Sequence, residues 1–145
     1  MKIYLDVCCL CRPFDDQMPE RIQIEATAVQ EIIRRCAARE FTLIASEAIR
    51  EEIEKIPDRK KRLQVEKIAS VAEEHVFIDE KMVSRMYELI EAGGEPMDSL
   101  HIACAEKAGA VLLTTDDGLV TFFKSSQNIQ IRRENPFVWL NGVIR

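Results

Sequence analysis

Short apolar runs alternate with stretches of helical spacing along the whole chain, and this alternation restricts the fold more than any other feature. Residues 2–6 read as a short buried strand. Residues 20–39 carry Ile22, Ala26, Val29, Ile32, Ile33 and Cys36 at the spacing of one helix face. Residues 41–45 form a second strand, and Ser46 stands in the N-cap position of a helix that reaches about residue 56 and stops at Pro57. A charged helix is expected over 59–73 and a short strand over 76–78. Asp79 opens the next helix, which Gly93-Gly94 ends near Ala92. Pro96 suits the first turn of a helix running to about Ala108, closed by Gly109. Residues 110–114 then read as a buried strand, 129–131 as a last strand, and a C-terminal helix is centred near Val138. Alternating strands and helices predict an α/β fold with a parallel sheet covered by helices on both faces. At 145 residues the chain is the size of one domain, taken as 1–145, large enough to bury a core without disulfides or a structural metal.

Composition narrows the setting. No apolar run approaches the roughly 20 residues that span a bilayer, and Asp6 interrupts the N-terminal run where a signal peptide needs apolar residues, so a cytoplasmic protein is expected. Of the five cysteines, Cys8, Cys9 and Cys11 crowd together with no CxxC spacing and no nearby histidine, a poor zinc site and a poor disulfide framework. Reduced, mostly buried thiols are expected. The net charge of -5 counts against a high-affinity nucleic-acid groove binder. It does not exclude an enzyme with an acidic centre. Basic residues cluster locally in Arg59-Lys60-Lys61-Arg62 and Arg132-Arg133. The chain has no P-loop, no GxGxxG and no GxSxG elbow, and neither His75 nor His101 sits in a metal-ligand spacing.

The acids carry the functional reading. Asp6 follows Ile3-Tyr4-Leu5, and Asp116 follows Val111-Leu112-Leu113 in a Thr114-Thr115-Asp116-Asp117 turn. Ligands of open parallel sheets bind beyond the carboxyl ends of strands. Each acid taken alone is equally well a turn or N-cap residue; the repetition favours a site. Asp98 lies in the first turn of an apolar helix, where the helix dipole favours a carboxylate without any site. Packing of that helix against the sheet would turn the acid toward the strand ends. Ile49, Ile53 and Ile56 form one buried stripe, and Glu52 falls about 60° from it at ~100° per residue. Glu47, Glu51 and Glu54 fall on the far side, so Glu52 is preferred over Glu51. Two charges about 5 Å apart repel by roughly 3 kcal/mol at an effective dielectric of 20. Gathered carboxylates therefore protonate or take up a cation, and all-oxygen ligands favour Mg²⁺ or Mn²⁺.

Together these marks resemble the PIN-domain family, which includes VapC-like toxins of type II toxin-antitoxin pairs. The resemblance spans nearly the whole chain. It rests on Ile3-Tyr4-Leu5-Asp6, on residues 46–53 around Glu52, on Asp98-Ser99-Leu100-His101-Ile102-Ala103, and on Leu113-Thr114-Thr115-Asp116. Residues 4–16, with Arg12-Pro13-Phe14-Asp15-Asp16, also look like a bacterial and archaeal branch of the family. The resemblance implies a Rossmann-like α/β/α sandwich and Mg²⁺- or Mn²⁺-dependent endoribonuclease activity. It carries the catalytic and metal-binding acids onto Asp6, Glu52, Asp98 and Asp116, with Thr114 and Asp117 in support. It further implies an RNA substrate, a cognate antitoxin and a homodimer. Arg12 and the 59–62 run are candidates for RNA backbone contacts, beside the equally good reading of solvated surface charge. One departure stands out: the family often has Thr or Ser directly after the first Asp, where Val7 and Cys8 follow here. A non-catalytic PIN-like module that binds RNA or an antitoxin, and a metal phosphohydrolase acting on small esters, are the rival readings.

Overall fold

The alternation is realised as a five-stranded sheet, all parallel, in the order β3-β2-β1-β4-β5. The computed structural model of the chain describes residues 1–121 and 129–144. Its strands are β1 (Lys2–Leu5), β2 (Thr42–Ser46), β3 (Glu74–Val76), β4 (Val111–Leu113) and β5 (Arg133–Glu134). The helices are α1 (Val7–Cys11), α2 (Glu20–Ala37), α3 (Glu47–Glu54), α4 (Arg59–Ala69), α5 (Glu80–Glu91), α6 (Pro96–Ala108), α7 (Asp117–Thr121) and α8 (Pro136–Val143). Among the described residues no helix is long and apolar enough to cross a membrane. All five cysteines are free, and Cys9, Cys36 and Cys104 are buried.

The sheet is built outward from β1 and β4. Ile3, Tyr4 and Leu5 are all buried, although successive side chains of a strand point to opposite faces. Helices therefore cover both faces, as a parallel sheet requires. Leu5 pairs with Leu113, and the Asp6 N–H donates to the Leu113 carbonyl at 3.1 Å. The two central strands thus end level, and the residues that follow them leave the sheet side by side. Leu112 and Leu113 are wholly buried; each such side chain stabilises a fold by about 1.5–3 kcal/mol.

Local chemistry sets the helix ends. Ser46 caps α3 by accepting the Ile49 N–H at 3.0 Å, and Asp79 caps α5 by accepting the Met82 N–H at 2.8 Å. Pro96 opens α6, and Gly109 closes it with a left-handed φ of 67°. A Cβ at Gly109 would meet nothing within 4 Å, so only its backbone conformation resists substitution. Gly109→Ala should therefore cost about 1 kcal/mol, read as a drop of a few degrees in melting temperature.

Several boundaries differ from the sequence reading, those of β1, β2 and β4 by one residue and those of α2, α4, β3 and the last strand by more, and that reading contains neither α1 nor α7. Helix α2 stops at Ala37 because Arg39 turns to a φ of 68°. Helix α4 ends at Ala69. Strand β3 occupies Glu74–Val76 rather than 76–78, held by its register with Ile44, Ala45 and Ser46. The last strand forms at Arg133–Glu134 rather than 129–131. Its place is set by the Leu112 N–H on the Arg132 carbonyl at 2.9 Å and the Thr114 N–H on the Glu134 carbonyl at 3.0 Å. Ile129 and Ile131 instead pack, partly buried, against the core.

Candidate active site

Parallel strands that end level bring Asp6 and Thr114 together beyond the sheet. Asp6 is buried, and its Oδ1 accepts the Cys9 N–H at 3.2 Å and the Cys8 thiol. The buried Thr114 hydroxyl accepts the Asp116 N–H at 3.1 Å, lies 3.6 Å from Cys8 Sγ, and favours the charged form of Asp6 by hydrogen bonding. Thr114 thus bonds the carboxyl of Asp6 and the backbone of Asp116. Burial, reinforced by the neighbouring Cys8 thiol, holds the Asp6 carboxyl well above the usual carboxylate range.

Asp98 projects from the first turn of α6 into a cavity of about 390 Å³ that Asp116, Gly94, Glu95 and Gly118 also line. Its carboxyl is pushed up to about 6, first by burial, then by the charges of Asp116 and Asp6. Asp116 itself is exposed and accepts the Gly118 N–H at 2.9 Å. The charges of Asp6 and Asp116 are therefore close enough to oppose the ionisation of Asp98.

The adjacent acids Glu51 and Glu52 point in different directions. Glu51 is exposed and pairs with Lys55 at 3.3 Å. Glu52 is half-buried, and its Oε1 contacts Nε2 of His101 on α6. His101, a residue that spacing alone did not single out, is buried and lies within electrostatic reach of both Asp6 and Asp98. Its position three residues after Asp98 was the available signal, because such a pair shares a helix face.

Two of the sequence candidates are engaged elsewhere. Asp117 is exposed and takes a two-pronged ion pair from Arg21, at 2.8 and 2.9 Å, so it faces α2. Arg12 donates to Glu25 at 2.9 Å and to Asp15 at 3.0 Å. In the 59–62 run, Lys61 meets Asp15 at 2.6 Å and Arg62 donates to the Ile56 carbonyl at 2.8 Å.

The donor set is mixed. Among the described residues, the metal-ligand atoms lying within 4.8 Å of one another belong to Asp6, Cys8 and Cys9, not to three carboxylates. Carboxylate charges that repel one another stay apart in the absence of a counter-charge. The oxygen donors of Asp6, Asp98 and Asp116 are of the kind a hard divalent cation takes, and repulsion from Asp116 and Asp6 adds to burial in raising the Asp98 carboxyl. The same repulsion has a pH signature. An unfolded Asp titrates near 3.9, so the folded, metal-free chain holds the Asp98 proton longer than the unfolded chain does. Stability then falls as pH rises from about 4 to about 6, and the penalty is fully present above that. The melting temperature of Asp98→Asn relative to wild type, measured in EDTA, should grow across this window and level off above it.

A family model, the PIN domain, matches residues 3–122. The chain belongs to the PIN-domain family. No curated protein is similar enough in sequence to count as a match. Three solved structures show the same fold at low identity. The crystal structure of FitAcB from Neisseria gonorrhoeae aligns with a TM-score of 0.59 at 19% identity, over 94% of this chain and 99% of that one. The structure of VapBC2 from Rickettsia felis, bound to a DNA fragment from their promoter, gives 0.59 at 16% identity, over 92% and 98%. A structure of FitAB bound to a DNA fragment gives 0.55 at 19% identity, over 94% and 96%.

Proposed function

We propose that this PIN domain is a Mg²⁺- or Mn²⁺-dependent endoribonuclease, the toxin of a toxin-antitoxin pair. The observation that carries the reading is the convergence of Asp6, Asp98 and Asp116 at the ends of two neighbouring strands and one helix, where burial and, after it, the charges of Asp116 and Asp6 push the Asp98 carboxyl up to about 6. Asp6, Asp98 and Asp116 would hold the cation, with Glu52 completing the donor set. A bound Mg²⁺ or Mn²⁺ supplies Lewis acidity toward a phosphoryl oxygen and toward water. Thr114 holds the Asp6 carboxylate and the backbone of Asp116, and the cavity shared by Asp98 and Asp116 admits the scissile phosphodiester. Similarity to FitAB and VapBC2 supports an antitoxin as the protein partner, and a homodimer is the assembly this reading carries with it.

The test is cleavage of labelled, defined RNAs by the purified chain with Mn²⁺. Wild type should cut, EDTA should stop it, and Asp6→Asn should abolish it. Cleavage that survives both EDTA and Asp6→Asn contradicts the proposal. Intact RNA with turnover of a small phosphate ester would support the phosphohydrolase reading instead.

A further inference from the structure

We propose that His101 is a positioning residue for Glu52, held by a circuit of hydrogen bonds that begins and ends on α3. The inference rests on the nuclease reading above for the role of Glu52. The circuit starts at the α3 cap, where Ser46 Oγ accepts the Ile49 N–H at 3.0 Å. Ser46 Oγ lies 2.8 Å from the Tyr4 hydroxyl, which lies 2.6 Å from His101 Nδ1. His101 Nε2 then contacts Glu52, back on α3. Tyr4, Ser46 and His101 are buried, so each polar atom depends on its protein partners.

For a neutral imidazole, one assignment of protons satisfies every link. A carboxylate only accepts, so Nε2 carries the imidazole proton and donates it to Glu52. Nδ1 is then the acceptor, and the Tyr4 hydroxyl donates to it. The Tyr4 oxygen accepts from the Ser46 hydroxyl, whose own oxygen takes the Ile49 N–H. The members also interleave with the acids. Tyr4 precedes Asp6 by two residues at the end of β1, His101 follows Asp98 by three on α6, and Ser46 caps the helix α3 that carries Glu52. The circuit therefore fixes the relative setting of the three elements that carry Asp6, Glu52 and Asp98. Carboxylates that bind metal are oriented by such outer partners, whose loss typically weakens metal binding or activity by about 10–100-fold.

Two substitutions separate the ends of the ring. His101→Gln places an amide near Nε2 and keeps the Glu52 contact; His101→Asn places one near Nδ1 and keeps only the Tyr4 contact. Mn²⁺ affinity is read by electron paramagnetic resonance of free Mn²⁺, with thermal melting alongside. His101→Asn should bind Mn²⁺ about 10–100-fold more weakly, while His101→Gln stays close to wild type. Melting temperatures lowered in both variants with no separation of their Mn²⁺ affinities would overturn the proposal, since a purely structural histidine behaves that way. Wild type that binds no Mn²⁺ would refute the nuclease reading. The circuit is then decided by imidazole ¹⁵N resonances in the metal-free chain. A proton on Nε2 supports it, and an unprotonated Nε2 overturns it.

Discussion

Asp98→Asn is expected to lose RNA cleavage by on the order of 10²–10³-fold at saturating Mn²⁺, about 3–4 kcal/mol of transition-state stabilisation. The same variant should melt about 5 °C higher than wild type in EDTA at pH 7.5, for a relief of 1–2 kcal/mol. The two effects have one cause. Burial and the charges of Asp116 and Asp6 oppose the ionised Asp98 carboxylate, so its removal relieves the metal-free fold. A cation bound among these acids turns the repulsion into attraction. A cation present at 100 times its dissociation constant stabilises by about 2.7 kcal/mol. Adding Mn²⁺ should therefore raise the melting temperature of wild type and leave the variant nearly unmoved, reversing their order. Activity on RNA and paired melts with EDTA or Mn²⁺ read both halves.

Glu25→Ala should be the most destabilising single change outside the hydrophobic core, by about 3 kcal/mol, or roughly 10 °C in melting temperature. Glu25 is 1% exposed on α2. Its carboxylate receives Arg12 Nε at 2.9 Å, Arg21 Nε at 3.1 Å and Asn135 Nδ2 at 2.6 Å. The three arms are unequal. Arg21 is 53% exposed, so its pairing contributes little. Arg12 is 22% exposed, and Asn135 caps α8 from its other side-chain atom, so both are left with poorly solvated donors when Glu25 goes. Glu25→Gln, which keeps the shape and loses the charge, should fall between wild type and Glu25→Ala in thermal or denaturant unfolding.

The parallel sheet was legible because its central strands are short, wholly apolar and bounded by turn chemistry. Ile3-Tyr4-Leu5 and Val111-Leu112-Leu113 announce buried strands, and Ser46, Asp79, Pro96 and Gly109 announce helix ends. The rest depends on contacts that no window of sequence contains. Strand β5 is two residues long, and its position comes from pairing with β4, not from the alternation of Ile129 and Ile131. Helices α1 and α7 have five residues each, too few for a 3.6-residue period to register.

The acids are legible as types and only partly as places. Helix geometry distinguishes Glu52 from Glu51 because apolar neighbours reveal which face is buried. Asp117 carries no such local signal: it turns away because Arg21, 96 residues distant in sequence, captures it. His101 escapes spacing arguments for the same reason, since its partner Tyr4 is 97 residues away. Cys8 lies two residues after Asp6, and only folding reveals that its thiol faces Asp6 and approaches Thr114.

The most direct measurement is an anomalous difference map from a crystal of the protein soaked in Mn²⁺. The account predicts a peak bonded to carboxylate oxygens of Asp6, Asp98 and Asp116. A soaked crystal with no ordered ion there, or with Mn²⁺ held only by side chains remote from these three, would contradict it.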